Sequence, residues 1–89
     1  MTKTVFKYQL QTVGEPMAID MPEGARLLSV QLQSEWPTLW ALVDPSREMT
    51  KRFIILVGTG HEHLWKLRDF LGTVQTMTGL VWHAFEVQP

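Results

Sequence analysis

Gly58-Thr59-Gly60-His61 is the stretch of this chain best suited to hold an anion. Glycines let backbone N–H groups approach a ligand closely and converge on it, and such a nest suits phosphate or carboxylate. The Thr59 hydroxyl and the His61 ring would add donors, and a helix starting there would add the positive end of its dipole. The spacing matches neither GxxxxGK[ST] nor GxGxxG, so neither nucleotide-binding fingerprint is met. A strand ending in a tight turn accounts for the same residues. Arg52 and Arg26 are the guanidiniums that could grip a phosphate bidentately, and Trp65 could stack on a base. Arg52 carries the most weight, because it adjoins the apolar run Phe53–Val57 and shares the face of Ile54 and Leu56. Solvated charge on an outer strand face is the plainer alternative for these cations.

The three histidines suggest other chemistry. His61 and His63 would lie on one side of an extended strand and could share a metal if a third ligand, such as His83, came near. On a helix, positions two apart do not face each other and the pair fails. His83 sits between Val81 and Phe85 in the last apolar segment. There it reads as a core or interface histidine bonded to backbone or hydroxyl, or as a proton donor to a bound anion. Catalysis finds little material. There is no G-x-S-x-G elbow and no cysteine, and many of the nine carboxylates fall in or beside turns. The expectation is a non-enzymatic protein without metal or cofactor.

The elements that must position these residues are strands. Leu39–Val43, Phe53–Val57 and Leu80–Phe85 are apolar on both faces when read with a period of two. Both faces of such strands need cover. Eighty-nine residues supply little of it, so a homo-oligomer is expected, most simply a dimer joined near 39–43 or 80–87. Trp40 and Trp82 lie inside these strands and read as core or subunit contacts. Trp36 stands at a turn and Trp65 in a short insertion, where each could meet a partner.

Val5–Val13 and Arg26–Ser34 alternate as half-exposed strands. Met17–Met21 is a short strand between the turns at Gly14-Glu15-Pro16 and Pro22-Glu23-Gly24. Pro37 belongs at a strand edge or in a connection. Leu64 and Leu67 have helical spacing, which predicts a short helical insertion over 61–68. A strand resumes at Asp69, with Gly72 as a bulge or close approach. The sum is a mostly β fold over 1–89: a small antiparallel sandwich or barrel of six to seven strands.

Composition narrows the partners. Eight basic and nine acidic residues give a net charge of −1 with no like-charge run, which disfavours duplex nucleic acid and anionic membrane. A local patch from Lys51-Arg52 and Lys66/Arg68 is the exception. The absence of cysteine points to a reducing cytoplasm. No apolar stretch reaches the ~20 residues of a membrane span, and the N-terminus has no signal-type apolar core.

Pro22-Glu23-Gly24-Ala25, Leu39-Trp40-Ala41-Leu42-Val43-Asp44, Gly58-Thr59-Gly60-His61, Phe70-Leu71-Gly72-Thr73-Val74 and Leu80-Val81-Trp82-His83-Ala84-Phe85-Glu86 together resemble a family of short phage and bacterial proteins of unknown function. The resemblance covers nearly the whole chain and brings no assigned activity or functional residues. It implies a phage or prophage origin, an intracellular life and a role directed at the host. Two functions follow as expectations. The first is capture of an anionic, nucleotide-like ligand in an intersubunit pocket by Gly58, Thr59, Gly60, His61, Arg52, Arg26 and Trp65, as a counter-defence device. The second is inhibition of a host protein through an apolar surface carrying Trp36 or Trp65.

Overall fold

Alternation and turn chemistry divide the chain into seven strands: β1 (Thr4–Gln9), β2 (Met17–Pro22), β3 (Arg26–Gln33), β4 (Trp36–Val43), β5 (Met49–Gly58), β6 (Lys66–Gln75) and β7 (Val81–Gln88). They are seen in a computed structural model that describes residues 2–88; residues 1 and 89, the ends of the expected domain, lie outside it. Two antiparallel sheets form, one in the order β1-β4-β3 and the other β2-β5-β7-β6. The three segments that are apolar on both faces become β4, the middle of the first sheet, and β5 and β7, the middle pair of the second. Inner faces of both sheets meet in one core. Leu39, Ala41, Val43 and Val30 come from the first sheet, and Met21, Ile54, Leu56, Leu71, Val74 and Ala84 from the second. Each large aliphatic among them adds ~1.5–3 kcal/mol by leaving water.

The sandwich does not close into a barrel. At one flank β3 and β6 approach at a crossing, where Gly72 has φ +144° and a Cβ would stand 2.6 Å from the Val30 carbonyl oxygen. Gly72 is thus the close approach expected of it, and it also sits in the irregular stretch of β6 between Leu67 and Gly72. At the other flank β1 and β2 are free edges.

The helical insertion expected over 61–68 is not formed. Residues 61–64 are irregular, Trp65 is a bend, and β6 already begins at Lys66. The Leu64–Leu67 spacing is too short a signal: two turns are marginal without an apolar seat. Leu64 finds none and is fully exposed, while Leu67 pairs with Val87 in the sheet. Pro37 lies near the start of β4. It turns its missing N–H toward β1, at the end of the ladder where only its carbonyl is used, by the Leu10 N–H at 2.9 Å.

Candidate functional site

Three groups of residues carry the chemistry the sequence suggests, and the fold separates them. The first is the end of β5. The His61 N–H donates to the Gly58 carbonyl at 3.1 Å, and Gly60 takes φ +79°, as the third position of such a turn demands. The His61 ring folds back over Gly58 and meets Trp82 edge-on, centroids 6.3 Å apart at 67°. A Cβ on Gly58 would overlap that ring and stand 3.1 Å from Trp82. The missing side chain at Gly58 is what lets the His61 ring lie there. The result is a cleft of about 310 Å³ bounded by Thr59, His61, Leu80 and Trp82.

The second group is centred on His83, on the outer face of the four-stranded sheet. Its Nε2 pairs with the Thr59 hydroxyl at 2.7 Å and its Nδ1 with the Thr73 hydroxyl at 2.9 Å. Hydroxyls both donate and accept, so the two threonines satisfy either tautomer of a neutral ring. A hydroxyl–imidazole pair resembles two members of a nucleophilic triad, but the third group here is another hydroxyl and not a carboxylate. His61 reaches over the inward side of Gly58, whereas His83 faces outward. His63 donates its Nδ1–H to the Trp65 carbonyl at 3.1 Å. Among the described residues no three His, Asp or Glu side chains converge as metal ligands.

The third group is Arg52 with Glu86. Nε and Nη2 donate to the two Glu86 carboxylate oxygens at 2.5 and 3.0 Å, and Nη1 donates to the Ala25 carbonyl at 2.9 Å. Only 24% of the Arg52 side chain is exposed, and Glu86 is buried. Hydrogen bonding to Glu86 holds the guanidinium above its ordinary pKa, against the opposing effect of burial. Its fork is therefore spent on tying β5 and β7 to the turn before β3. Arg52 lies six residues from Gly58, about 20 Å along the strand. Arg26 is exposed on β3, opposite Leu42, in the other sheet. The cations and the glycine turn expected to share one ligand do not meet.

The tryptophans also part company. Trp82 points inward against the core, and Trp40 lies half-buried on the outer face of the three-stranded sheet, between Lys7 and Ser29. Trp36 is exposed beside the β3–β4 turn. Trp65 lies across the outer face of the four-stranded sheet, bounding a groove of about 390 Å³ with Phe53, Ala18 and Pro16.

That outer face is the feature the residue-by-residue reading of motifs misses. Ile55, Phe85 and Phe70 stand in one cross-strand row, with Phe70 and Phe85 centroids 5.4 Å apart. Phe53 and Ala18 form a further row. Phe70 is 59% exposed and Trp65 41%, yet Ile55 at the middle is fully buried by its neighbours on the same face. The signal was available in the parity of 53, 55, 57 and of 81, 83, 85, 87, which share one side of their strands. One end of this plate is polar, at Thr59–His83–Thr73, and the other is the exposed Lys51–Asp20 pair at 2.9 Å.

No helix among the described residues is long and apolar enough to cross a membrane. No curated protein and no solved structure matches the chain. A family model matches it along its whole length, residues 1–89, and the chain therefore belongs to the family described as a domain of unknown function, DUF7352.

Proposed function

We propose that this is a non-enzymatic binding protein whose working surface is the outer face of the four-stranded sheet and whose partner is another protein. What supports the reading is the aromatic plate of Phe53, Trp65, Phe70 and Phe85, left uncovered by any element among the described residues. A plate of three to four strands spans about 15–20 Å. Exposed contiguous apolar surface of that extent, rimmed by polar residues, marks interaction sites. Aromatic side chains supply rigid anchors there. The Lys51 ammonium on this face is paired with Asp20, which favours a protein over a nucleic acid. The setting we propose, a phage product that blocks a host defence protein in the host cytoplasm, is supported by the family resemblance.

The test uses purified partner and chain. Phe70→Lys should weaken binding at least tenfold while the chain stays folded, losing only the few degrees of melting temperature that the Phe85 contact is worth. Gln31→Lys, on the other sheet, should bind and melt as the parent does. Equal binding by Phe70→Lys and the parent would refute the reading.

A second reading, capture of a nucleotide-like anion, is favoured by the cleft where His61, Thr59 and Trp82 stand together. A ligand present at 100 times its dissociation constant adds about 2.7 kcal/mol of stability. A thermal shift with nucleotides, lost in His61→Ala and kept in Phe70→Lys, would select this reading over the first.

A further inference from the structure

Sheet edges invite further strands unless something blocks them, and three of the four edges here are blocked. The β3 edge carries a bulge between Leu27 and Ser29 and meets Gly72 of β6 at the crossing. The β6 edge is broken by irregular pairing at two places between Leu67 and Gly72. On β2, the Glu23 N–H donates to Glu48, so the groups alternating with it, those of Ala18, Asp20 and Pro22, point to the free side. One of these has no N–H and another is charged.

β1 is different. Its register with β4 is unbroken from Thr4 to Gln9 and contains neither proline nor glycine. The Leu10 N–H donates to Pro37 in the same register, so even-numbered residues bond to β4. The N–H and C=O groups of Val5, Lys7 and Gln9 therefore face outward. Lys7, the residue that would guard this edge, sends its ammonium across β4 to Gln33 at 2.9 Å. Val5 is 50% exposed, and Phe6 is 38% exposed although it faces the side of the core.

We propose that β1 pairs antiparallel with β1 of a second copy of this chain, joining two three-stranded sheets into one of six. Inward faces match inward faces only when paired residue numbers have an even sum. Register around Lys7 would set two ammonium-bearing residues opposite each other. Register around Phe6 sets Phe6 against Phe6 of the partner subunit as a close, non-hydrogen-bonded pair. Val5 then exchanges both hydrogen bonds with Lys7 of the partner subunit, and Lys7 with the partner's Val5. The dyad stands perpendicular to the joined sheet, so both four-stranded sheets lie on one side of it. Their aromatic plates look the same way, and the dimer is bivalent. This edge is separate from those plates, so the two proposals fail independently.

The chain has no cysteine, which makes single-cysteine crosslinking clean. A close pair has Cα atoms about 4.5 Å apart, inside the disulfide range, whereas residues diagonal to it exceed 7 Å. Mild oxidation should link Phe6→Cys into a covalent dimer nearly completely and Lys7→Cys little. In sedimentation the parent should be a dimer. Lys7→Pro, which removes one outward N–H and leaves the β4 ladder whole, should be a folded monomer. A parent that stays monomeric at millimolar concentration overturns the proposal, as does equal crosslinking at positions 6 and 7.

Discussion

Replacing Glu86 by leucine strands the Arg52 guanidinium between the two sheets. Two charge-assisted hydrogen bonds disappear, while the third, to the Ala25 carbonyl, survives. Removing one partner of a buried ion pair costs about 3–5 kcal/mol. A quarter of the arginine side chain still reaches solvent, so the cost falls to the lower end of that range or just below it, about 2–3 kcal/mol. A chain of this length has some 4–13 kcal/mol in total. The loss should lower the melting temperature by about 10–15 °C. The double variant Arg52→Met/Glu86→Leu removes both charges and should recover most of the loss, because apolar groups of similar volume replace buried pairs at little cost. Urea titration followed by tryptophan fluorescence reads all three proteins. If Glu86→Leu unfolds within about 0.5 kcal/mol of the parent, a spread typical of surface substitutions, Arg52 is not a structural tie. Its guanidinium would then be free to serve a ligand site. A double variant no better than the single would contradict the structural tie too.

Gly72→Ala should cost about 1–3 kcal/mol by denaturant titration, because φ +144° and the Val30 carbonyl both oppose a side chain. Tyr8→Phe should be neutral or stabilising by about 1 kcal/mol, since the Tyr8 hydroxyl is buried without a partner and burial already raises its pKa. Asp44 accepts from the Ser46 hydroxyl at 2.7 Å and the Ser46 N–H at 3.0 Å, which lower its pKa. A lowered folded value means stability that is fully present above the unfolded carboxylate range and lost as pH falls through the folded value. Below about pH 4 the parent should therefore lose stability with a steeper slope than Asp44→Asn, and equal slopes would contradict the assignment.

Local rules made the strands legible and left the contacts between them hidden. Alternation in Arg26–Ser34 and the two-faced runs at 39–43, 53–57 and 80–85 mark β3, β4, β5 and β7, wherever these lie in the sandwich. Gly72 announced its own crossing. The segment before β6 misled, because Leu64 and Leu67 mimic helical spacing where pairing to β7 decides. Arg52 looked free because its partner Glu86 is 34 residues away, and no local pattern links them. Apolar runs on two faces suggested missing cover, and parity alone could have shown which side stays open: the Phe53–Phe85–Phe70 side. Trp40 and Trp82 proved to face opposite ways in different sheets, which run composition cannot reveal.

Hydroxyl-radical footprinting, on the chain alone and bound to its protein partner, tests the surface assignment most directly. Trp65 and Phe70 should label strongly in the free chain and lose that labelling in the complex, with Trp36 and Trp40 unchanged. Protection of Trp36 and Trp40, with Trp65 and Phe70 still reactive, would contradict the surface assignment.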